Sequence, residues 1–191
     1  SKQGLFIPRF GETDFNFYHN LVHLVGIAEA PVISPLSSTA ILSYKYKLIE
    51  SVEEEGQLVH KIEVIPRKSG NSTCSGYIYI NEGLWNINRL DFSFPSGGLK
   101  FFDAFRLKLN YRAITDGRWI PYRQVFDYKT KQGRFKTFKG STTIRFEAYE
   151  ADYPFPDDFF DNEIVRTTKE AYERDSSYWN NTRPEALTAK Q

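Results

Sequence analysis

The chain has 191 residues and a formal net charge of +1, and 16% of its residues are aromatic. This length suits a single domain with a real core, and the composition excludes disordered and fibrous proteins. The near-neutral charge disfavours a dedicated nucleic-acid-binding protein, and the single cysteine, Cys74, excludes a disulfide framework or a cysteine-rich zinc site. Because the chain starts at Ser1 and contains no Met, we expect it to be a processed or excised segment of a longer protein.

The N-terminal part has the pattern of an amphipathic helix over residues 14–25. Asp14 is placed to cap this helix, and Gly26 and Pro31 are placed to end it. Four apolar residues recur at helical spacing and predict a buried stripe: Phe15, Tyr18, Val22 and Val25. Ser34-Pro35 predicts a second, short turn of helix within 34–42, with Ser34 as its N-cap.

From Tyr44 onwards the hydrophobic period changes to two, which predicts β-strands. Turn-forming pairs such as Glu55-Gly56 and Asp116-Gly117 separate the strands by short links, as in an antiparallel meander. The predicted strands lie near 43–51, 57–66, 74–81, 84–94, 99–114, 118–131 and 134–150.

These elements predict an α+β fold in which a curved antiparallel sheet of about seven strands, a half-barrel, wraps around the N-terminal helix. We assign residues 1–153 to this domain. Residues 154–191 form an acidic C-terminal tail, with a weak helix around 161–176 and an extended end, leading towards a further domain. A membrane barrel is disfavoured because seven is an odd number of strands and the leading helices do not fit.

Charge is unevenly distributed along the chain. Residues 100–149 carry 12 Lys and Arg against 4 Asp and Glu, whereas residues 151–191 carry 5 against 9. The basic region is either an ordinary solvated surface or a face that meets an anionic partner or the acidic tail. One helix covers only two or three strands, so we expect the tail, residues 157–180, to cover part of the sheet with Trp179 as an anchor.

No group of residues has the pattern of a catalytic or metal site. His19 and His23 are four apart, but Asn20 replaces the glutamate that zinc peptidases need after the first histidine. Asp103 interrupts the apolar face of its strand and, if buried, needs a partner. The acidic cluster formed by Asp157, Asp158, Asp161 and Glu163 lacks the pattern of a calcium loop. We expect Cys74 to be an inert thiol, and we expect no catalytic residue, metal or cofactor.

Several short patches occur together in an order that resembles the middle region of a family of Bacteroidota outer-membrane proteins of unknown function. They are Asn16-Phe17-Tyr18, Ser34-Pro35-Leu36, Tyr44-Lys45-Tyr46, Lys61-Ile62-Glu63-Val64-Ile65-Pro66-Arg67, Gly76-Tyr77-Ile78-Tyr79-Ile80, Trp85-Asn86-Ile87, Trp119-Ile120-Pro121, Tyr178-Trp179, Arg183-Pro184 and Leu187-Thr188. The sequence departs from the family's pattern at Ala186 and Gln191, which lie at the C-terminal end of the tail and not in the sheet. Members of that family carry a carboxypeptidase-regulatory-like sandwich before this region and a β-barrel after it. The region is also similar to the half-barrels of lipoprotein carriers and envelope-stress sensors.

The resemblance implies a location on the periplasmic side of the outer membrane and leaves three functions open. The first is a non-enzymatic domain for assembly, docking or regulation of an attached barrel or another envelope protein. The second is a module that binds a lipid or a lipoprotein acyl chain. The third is a hydrolase with an unrecognised carboxylate site. For the second, the predicted ligand-binding residues are those of the apolar sheet face: Phe101, Phe105, Leu107, Leu109, Tyr111, Phe126, Ile144 and Phe146.

Overall fold

The computed structural model describes residues 15–68, 70–114, 117–132, 136–147, 149–150, 152–156 and 173–182. Two short strands come first and are followed by a one-turn helix and a long meander. The strands are β1 Leu21–Val22, β2 Val32–Ile33, β3 Tyr44–Glu54, β4 Gln57–Pro66, β5 Ser75–Asn81, β6 Ile87–Phe94, β7 Ala104–Ala113, β8 Trp119–Gln132 and β9 Lys136–Arg145. The helices are α1, Ala40–Ser43, and α2, Ser176–Thr182, and a 3₁₀ turn spans Ser96–Gly98.

Strands β3 to β9 form one antiparallel sheet in sequence order, and the sheet is curved and open. The predicted seven-stranded meander is therefore confirmed. The β3–β4 link is a two-residue turn in which Glu55 and Gly56 have φ of 52° and 78°, the left-handed pair that matches the twist of a hairpin. The strand predicted over 99–114 begins only at Ala104, because Leu99 pairs with Ala28 outside the sheet.

The helix predicted over 14–25 is wrong. Its described part, residues 15–25, forms turns and strand β1, which pairs with β2, and the predicted cap Asp14 lies outside the described residues. Helical spacing would have buried Tyr18 and Val25, which are 53% and 44% exposed, whereas Phe17 is fully buried. The Asn16 side chain accepts the Tyr18 N–H, a local bond that competes with helix formation.

The short helix predicted within 34–42 begins later than expected. Ser34 starts a turn, in which its carbonyl accepts the Ser37 N–H, and α1 forms only at Ala40–Ser43. Residues 15–43, which we call the N-terminal cover, therefore contribute one helical turn and otherwise lie across the sheet as an irregular chain with a small hairpin. This cover takes the place that the sequence assigned to a helix.

The C-terminal tail is described only over residues 173–182. Ser176–Thr182 is helical where the sequence predicted an extended end, because the Asp175 carboxylate accepts the Tyr178 N–H at 2.8 Å and caps the turn. This hydrogen bond lowers the pKa of Asp175. Residues 157–172, which include most of the predicted helix and the acidic cluster, lie outside the described residues. The described part of the tail is exposed, Trp179 included at 41%. No helix in the described ranges is long and apolar enough to cross a membrane.

Candidate binding cavity on the concave face

The concave face of the sheet carries most of the apolar side chains predicted to bind a ligand. Phe105, Leu107 and Leu109 on β7 and Phe126 on β8 are buried in one core cluster, and Tyr111 and Ile144 are partly buried against it. Their register explains this grouping, since Leu107 lies opposite Phe92 on β6 and Phe126 on β8. The structure thus brings six of the eight predicted residues together.

The remaining two predicted residues lie at the margins. Phe146 follows β9, extends the pairing by donating its N–H to the Tyr122 carbonyl, and is half-buried. Phe101 precedes β7 and is 62% exposed, so it does not belong to the concave face. It was grouped with β7 because the strand was expected to start at residue 99.

The N-terminal cover fills the middle of the concave face. The Phe15 ring meets the Phe126 ring edge-on, with centroids 5.6 Å apart, and Phe17 lies 5.2 Å from Phe92. Both phenylalanines of the cover are at most 2% exposed. The apolar surface predicted to await a ligand is therefore largely occupied by the chain itself.

Buried hydroxyl groups hold the cover together and fasten it to the sheet. Ser34 is fully buried; its Oγ donates to the Phe17 carbonyl and accepts the Leu36 N–H. The Tyr44 hydroxyl donates to the Ile33 carbonyl at 2.6 Å and accepts the Cys74 N–H at 3.2 Å. Burial raises the pKa of Tyr44 and raises that of the Cys74 thiol to about 12, so both groups stay neutral and the thiol stays unreactive at physiological pH.

A cavity of about 450 Å³ remains between the start of the cover and the ends of β7 and β8. This volume lies within the range of small-molecule sites. Six aromatic rings and two amide side chains dominate its wall, which contains no Asp, Glu, Lys, Arg or His among the described residues. The lining residues are Phe15, Asn16, Tyr18, Leu109, Tyr111, Trp119, Pro121, Gln124, Phe146 and Tyr149. Such a wall can hold an apolar group but has no acid–base pair for catalysis.

Sequence reasoning missed several of these lining residues because β8 contains a bulge. Asn110 pairs with Arg123, but Tyr111 pairs with Pro121, so Tyr122 has no partner in the register with β7. The extra residue brings Pro121 and Trp119 to the same face as Tyr111, whereas strict alternation from Phe126 would place Ile120 and Tyr122 there. The Trp-Ile-Pro sequence hinted at an irregularity, because proline within a strand favours bulges and edges.

The opposite, convex face carries a network of cross-strand ion pairs. Arg89 donates two hydrogen bonds to the Glu54 carboxylate, at 2.6 and 2.7 Å, and its guanidinium stacks 3.9 Å from the Tyr79 ring. This partner lowers the pKa of Glu54. Three further cross-strand ion pairs lie on this face: Lys61–Glu50 at 2.9 Å, Arg106–Asp91 at 2.5 Å and Lys108–Asp127 at 3.3 Å. In each pair the carboxylate balances the positive charge of a Lys or Arg on a neighbouring strand.

The other candidate groups do not form a site. In the described part of the chain, no three His, Cys, Asp or Glu side chains lie close enough to share a metal ion. His19 and His23 no longer share a helix face, since their segment is not helical. Asp103 is exposed rather than buried, so it needs no buried partner.

A family model described as a family of unknown function (DUF5686) matches residues 1–149. Among curated proteins no sequence matches the chain. One similar solved structure is a domain from Vibrio parahaemolyticus described as an outer membrane lipoprotein-sorting protein domain. The two are 19% identical with a TM-score of 0.36, and the alignment covers 80% of this chain and 60% of that one.

Proposed function

The chain belongs to DUF5686, a family of unknown function, and we propose that it is a non-enzymatic docking domain of a cell-envelope protein. In this proposal it lies on the periplasmic side of the outer membrane and docks against a β-barrel, its own or that of another envelope protein. The location comes from the resemblance of its motifs to the middle region of outer-membrane proteins. No cofactor has a role in this function.

The filled concave face is the observation that carries this proposal. The sheet's own N-terminal cover occupies the apolar surface, with Phe17 and Phe92 fully buried against each other. A carrier of long acyl chains would need that surface open. Four convex carboxylates, those of Glu50, Glu54, Asp91 and Asp127, are paired with basic side chains, which does not favour the hydrolase alternative.

One turn presents apolar side chains outwards and suits a docking contact. At the β5–β6 turn Leu84 and Trp85 are 62% and 66% exposed. The turn is well built: Trp85 adopts a φ of 53°, donates its N–H to the Asn81 carbonyl at 2.9 Å and stacks parallel to His60 at 5.8 Å. Exposed tryptophan in a defined conformation is typical of interface residues that contribute most to binding.

Site-specific photo-crosslinking in the native envelope tests this proposal. A photoreactive amino acid replaces Leu84 in the complete polypeptide, and a matched control places it at the exposed Glu55, in the β3–β4 turn at the same end of the sheet. We expect the Leu84 position, but not Glu55, to crosslink to an outer-membrane β-barrel. Equal labelling of both positions, or no crosslink to a barrel, would contradict docking through this turn.

A second function, binding of an apolar ligand, is favoured by the 450 Å³ cavity alone. Its aromatic wall and two amides suit the end of an acyl chain better than a whole lipid. A fluorescent C16 fatty acid is the probe, and Phe146→Ala removes one wall of the cavity. We expect roughly tenfold weaker binding for this variant, corresponding to about 1.4 kcal/mol. Phe138→Ala, on the exposed part of β9, serves as the control and should bind as the wild type does. Absence of saturable binding would exclude this function.

A further inference from the structure

The outer edge of β3 combines length, exposed apolar side chains and a backbone that pairs with no other described strand. β3 has 11 residues and is the first strand of the sheet, and among the described residues it pairs only with β4. Four of its apolar side chains are at least 40% exposed: Tyr46, Leu48, Ile49 and Val52. Folded proteins protect long apolar edges, because such edges pair with other strands.

The other edge of the sheet does not share this character. β9 has 10 residues, with Lys136, Lys139 and Arg145 along it, and Phe138, at 48%, is its one exposed large apolar side chain. Both edges carry charged side chains, which protect an edge strand, but β3 exposes four large apolar side chains and β9 exposes one. The exposed apolar side chains are therefore concentrated at the β3 edge, which suits this edge for contact with another strand.

The charge pattern of β3 is complementary to that of a second, antiparallel copy of the same strand. Lys45 and Lys47 occupy the first half, and Glu50, Glu53 and Glu54 occupy the second. Two copies related by a two-fold axis would run antiparallel, so the basic half of each would face the acidic half of the other.

The β3 bulge fixes the register in which this pairing works. Leu48 pairs with Ile62 and Glu50 with Lys61, so Ile49 is the extra residue. Lys45, Lys47, Glu50 and Val52 consequently point to the convex face, and Tyr46 and Ser51 point to the concave face. When Lys47 lies opposite Glu50 of a second copy, Lys45 lies opposite Val52 and Tyr46 opposite Ser51, and each of these three pairs joins side chains of the same face.

Lys47 and Glu50 are both able to form an ion pair with a second copy. Within the described residues no carboxylate lies at ion-pair distance from Lys47. Glu50 accepts one bond from Lys61 at 2.9 Å and is 50% exposed, and a carboxylate can accept more than one donor. By symmetry the contact occurs twice.

We propose that β3 is a self-association edge, through which two copies of this chain pair antiparallel with Lys47 of each opposite Glu50 of the other. The second copy continues the sheet, provides backbone partners for the edge and covers its apolar side chains. This contact uses a different surface from the β5–β6 turn and stands independently of the docking function.

Charge reversal of the purified 191-residue chain tests the proposal by sedimentation velocity over about 1–100 µM. The wild type should dimerise, and Lys47→Glu and Glu50→Lys should each weaken dimerisation at least tenfold, because two like-charge pairs replace two opposite ones. Lys45→Glu is the matched control, with the same charge change on the same strand opposite Val52, and should leave the dimer largely intact.

Mixing the two single variants separates pairing from misfolding. The Lys47→Glu variant has an acid at both positions 47 and 50, and the Glu50→Lys variant has a base at both positions. An equimolar mixture of the two variants should therefore form a heterodimer. The double variant, in which the two charges are exchanged, should form a homodimer again. A wild type that stays monomeric over the whole range overturns the proposal, and so does a dimer that neither single reversal weakens. A mixture that fails to associate although both variants are folded overturns the register.

Discussion

The two faces of the sheet are built from alternate residues of the same strands, yet they are stabilised differently. On β6, Leu90 and Phe92 are buried on the concave face under the N-terminal cover, while Arg89 and Asp91 form ion pairs on the convex face. Burial of a large apolar side chain contributes several kcal/mol, whereas a half-exposed ion pair contributes about 0–1 kcal/mol. The concave face therefore contributes most of the stability of the domain, and the convex face determines its surface charge.

The largest effect should come from opening the concave face. Phe92→Ala removes a fully buried ring that contacts Phe17, and we expect the free energy of unfolding to fall by about 3–5 kcal/mol. Urea denaturation followed by circular dichroism measures this change, with Phe138→Ala, which is 48% exposed, as the control. If Phe92→Ala leaves no folded protein, Ile78→Val, expected to cost about 0.5–1.5 kcal/mol, samples the same face. Equal losses of unfolding free energy for Phe92→Ala and Phe138→Ala would contradict the larger contribution of the concave face.

A backbone substitution should affect both faces together. Gly76 on β5 has a φ of 144°, and a Cβ there would lie 2.0 Å from the Asp91 carbonyl oxygen. Gly76→Ala should therefore separate β5 from β6 and cost about 3 kcal/mol, the upper end of the usual strain penalty. Gly83→Ala is the matched control, because Gly83 also has a positive φ, of 80°, but its Cβ would meet no atom within 4 Å. Thermal unfolding of the two variants measures the difference, and we expect the Gly76 variant to be the less stable.

Loosening the cover without opening the core should have an intermediate effect. Ser34→Ala leaves the buried Phe17 carbonyl without its hydroxyl donor, which should cost about 1–3 kcal/mol. Ser38→Ala, at an exposed position of the same segment, should cost little. Amide hydrogen exchange should show faster exchange in residues 15–43 of the Ser34 variant while β5–β8 stay protected. Unchanged exchange in the cover would mean that Ser34 does not fasten it.

The smallest effect should come from the convex face. Glu54→Gln removes the ion pair with Arg89, and we expect a loss below about 1 kcal/mol at neutral pH. Because Arg89 lowers the pKa of Glu54, this contribution is complete above the carboxyl's unfolded value of about 4.3 and disappears as pH falls through the lower folded value. The difference in stability between the wild type and the variant should therefore vanish in acid. A difference that persists unchanged at low pH would show that its origin is not the charge of Glu54.

The sheet was predictable from the sequence because its physical cause is local. Alternation in β7, with Phe105, Leu107 and Leu109 on one face, and turns such as Glu55-Gly56 specify strands and their order without knowledge of distant residues. The same alternation places Phe126 and Ile144 on the concave face. In these strands the local sequence pattern and the overall fold agree.

The cover and the cavity were not predictable because their causes are long-range. Phe15, Tyr18 and Val22 have helical spacing, but Phe15 and Phe17 gain more by contacting Phe126 and Phe92, far along the chain, than a short helix would gain. The bulge at Tyr122 likewise depends on how β7 and β8 align, so Trp119 and Pro121 reached the cavity unpredicted.

The position of the cover has a consequence for the order of events during synthesis. Residues 15–43 leave the ribosome before the strands of the sheet, yet the surface that receives them is complete only when β8 has followed. Phe15 must wait for Phe126, about 110 residues later in the chain. Each hairpin of the meander closes with its nearest neighbour, but the cover closes a long loop, and such contacts form slowly. A nascent chain therefore presents an apolar leading segment until the sheet is built, which makes the delay before β8 emerges the period in which the domain most needs a chaperone.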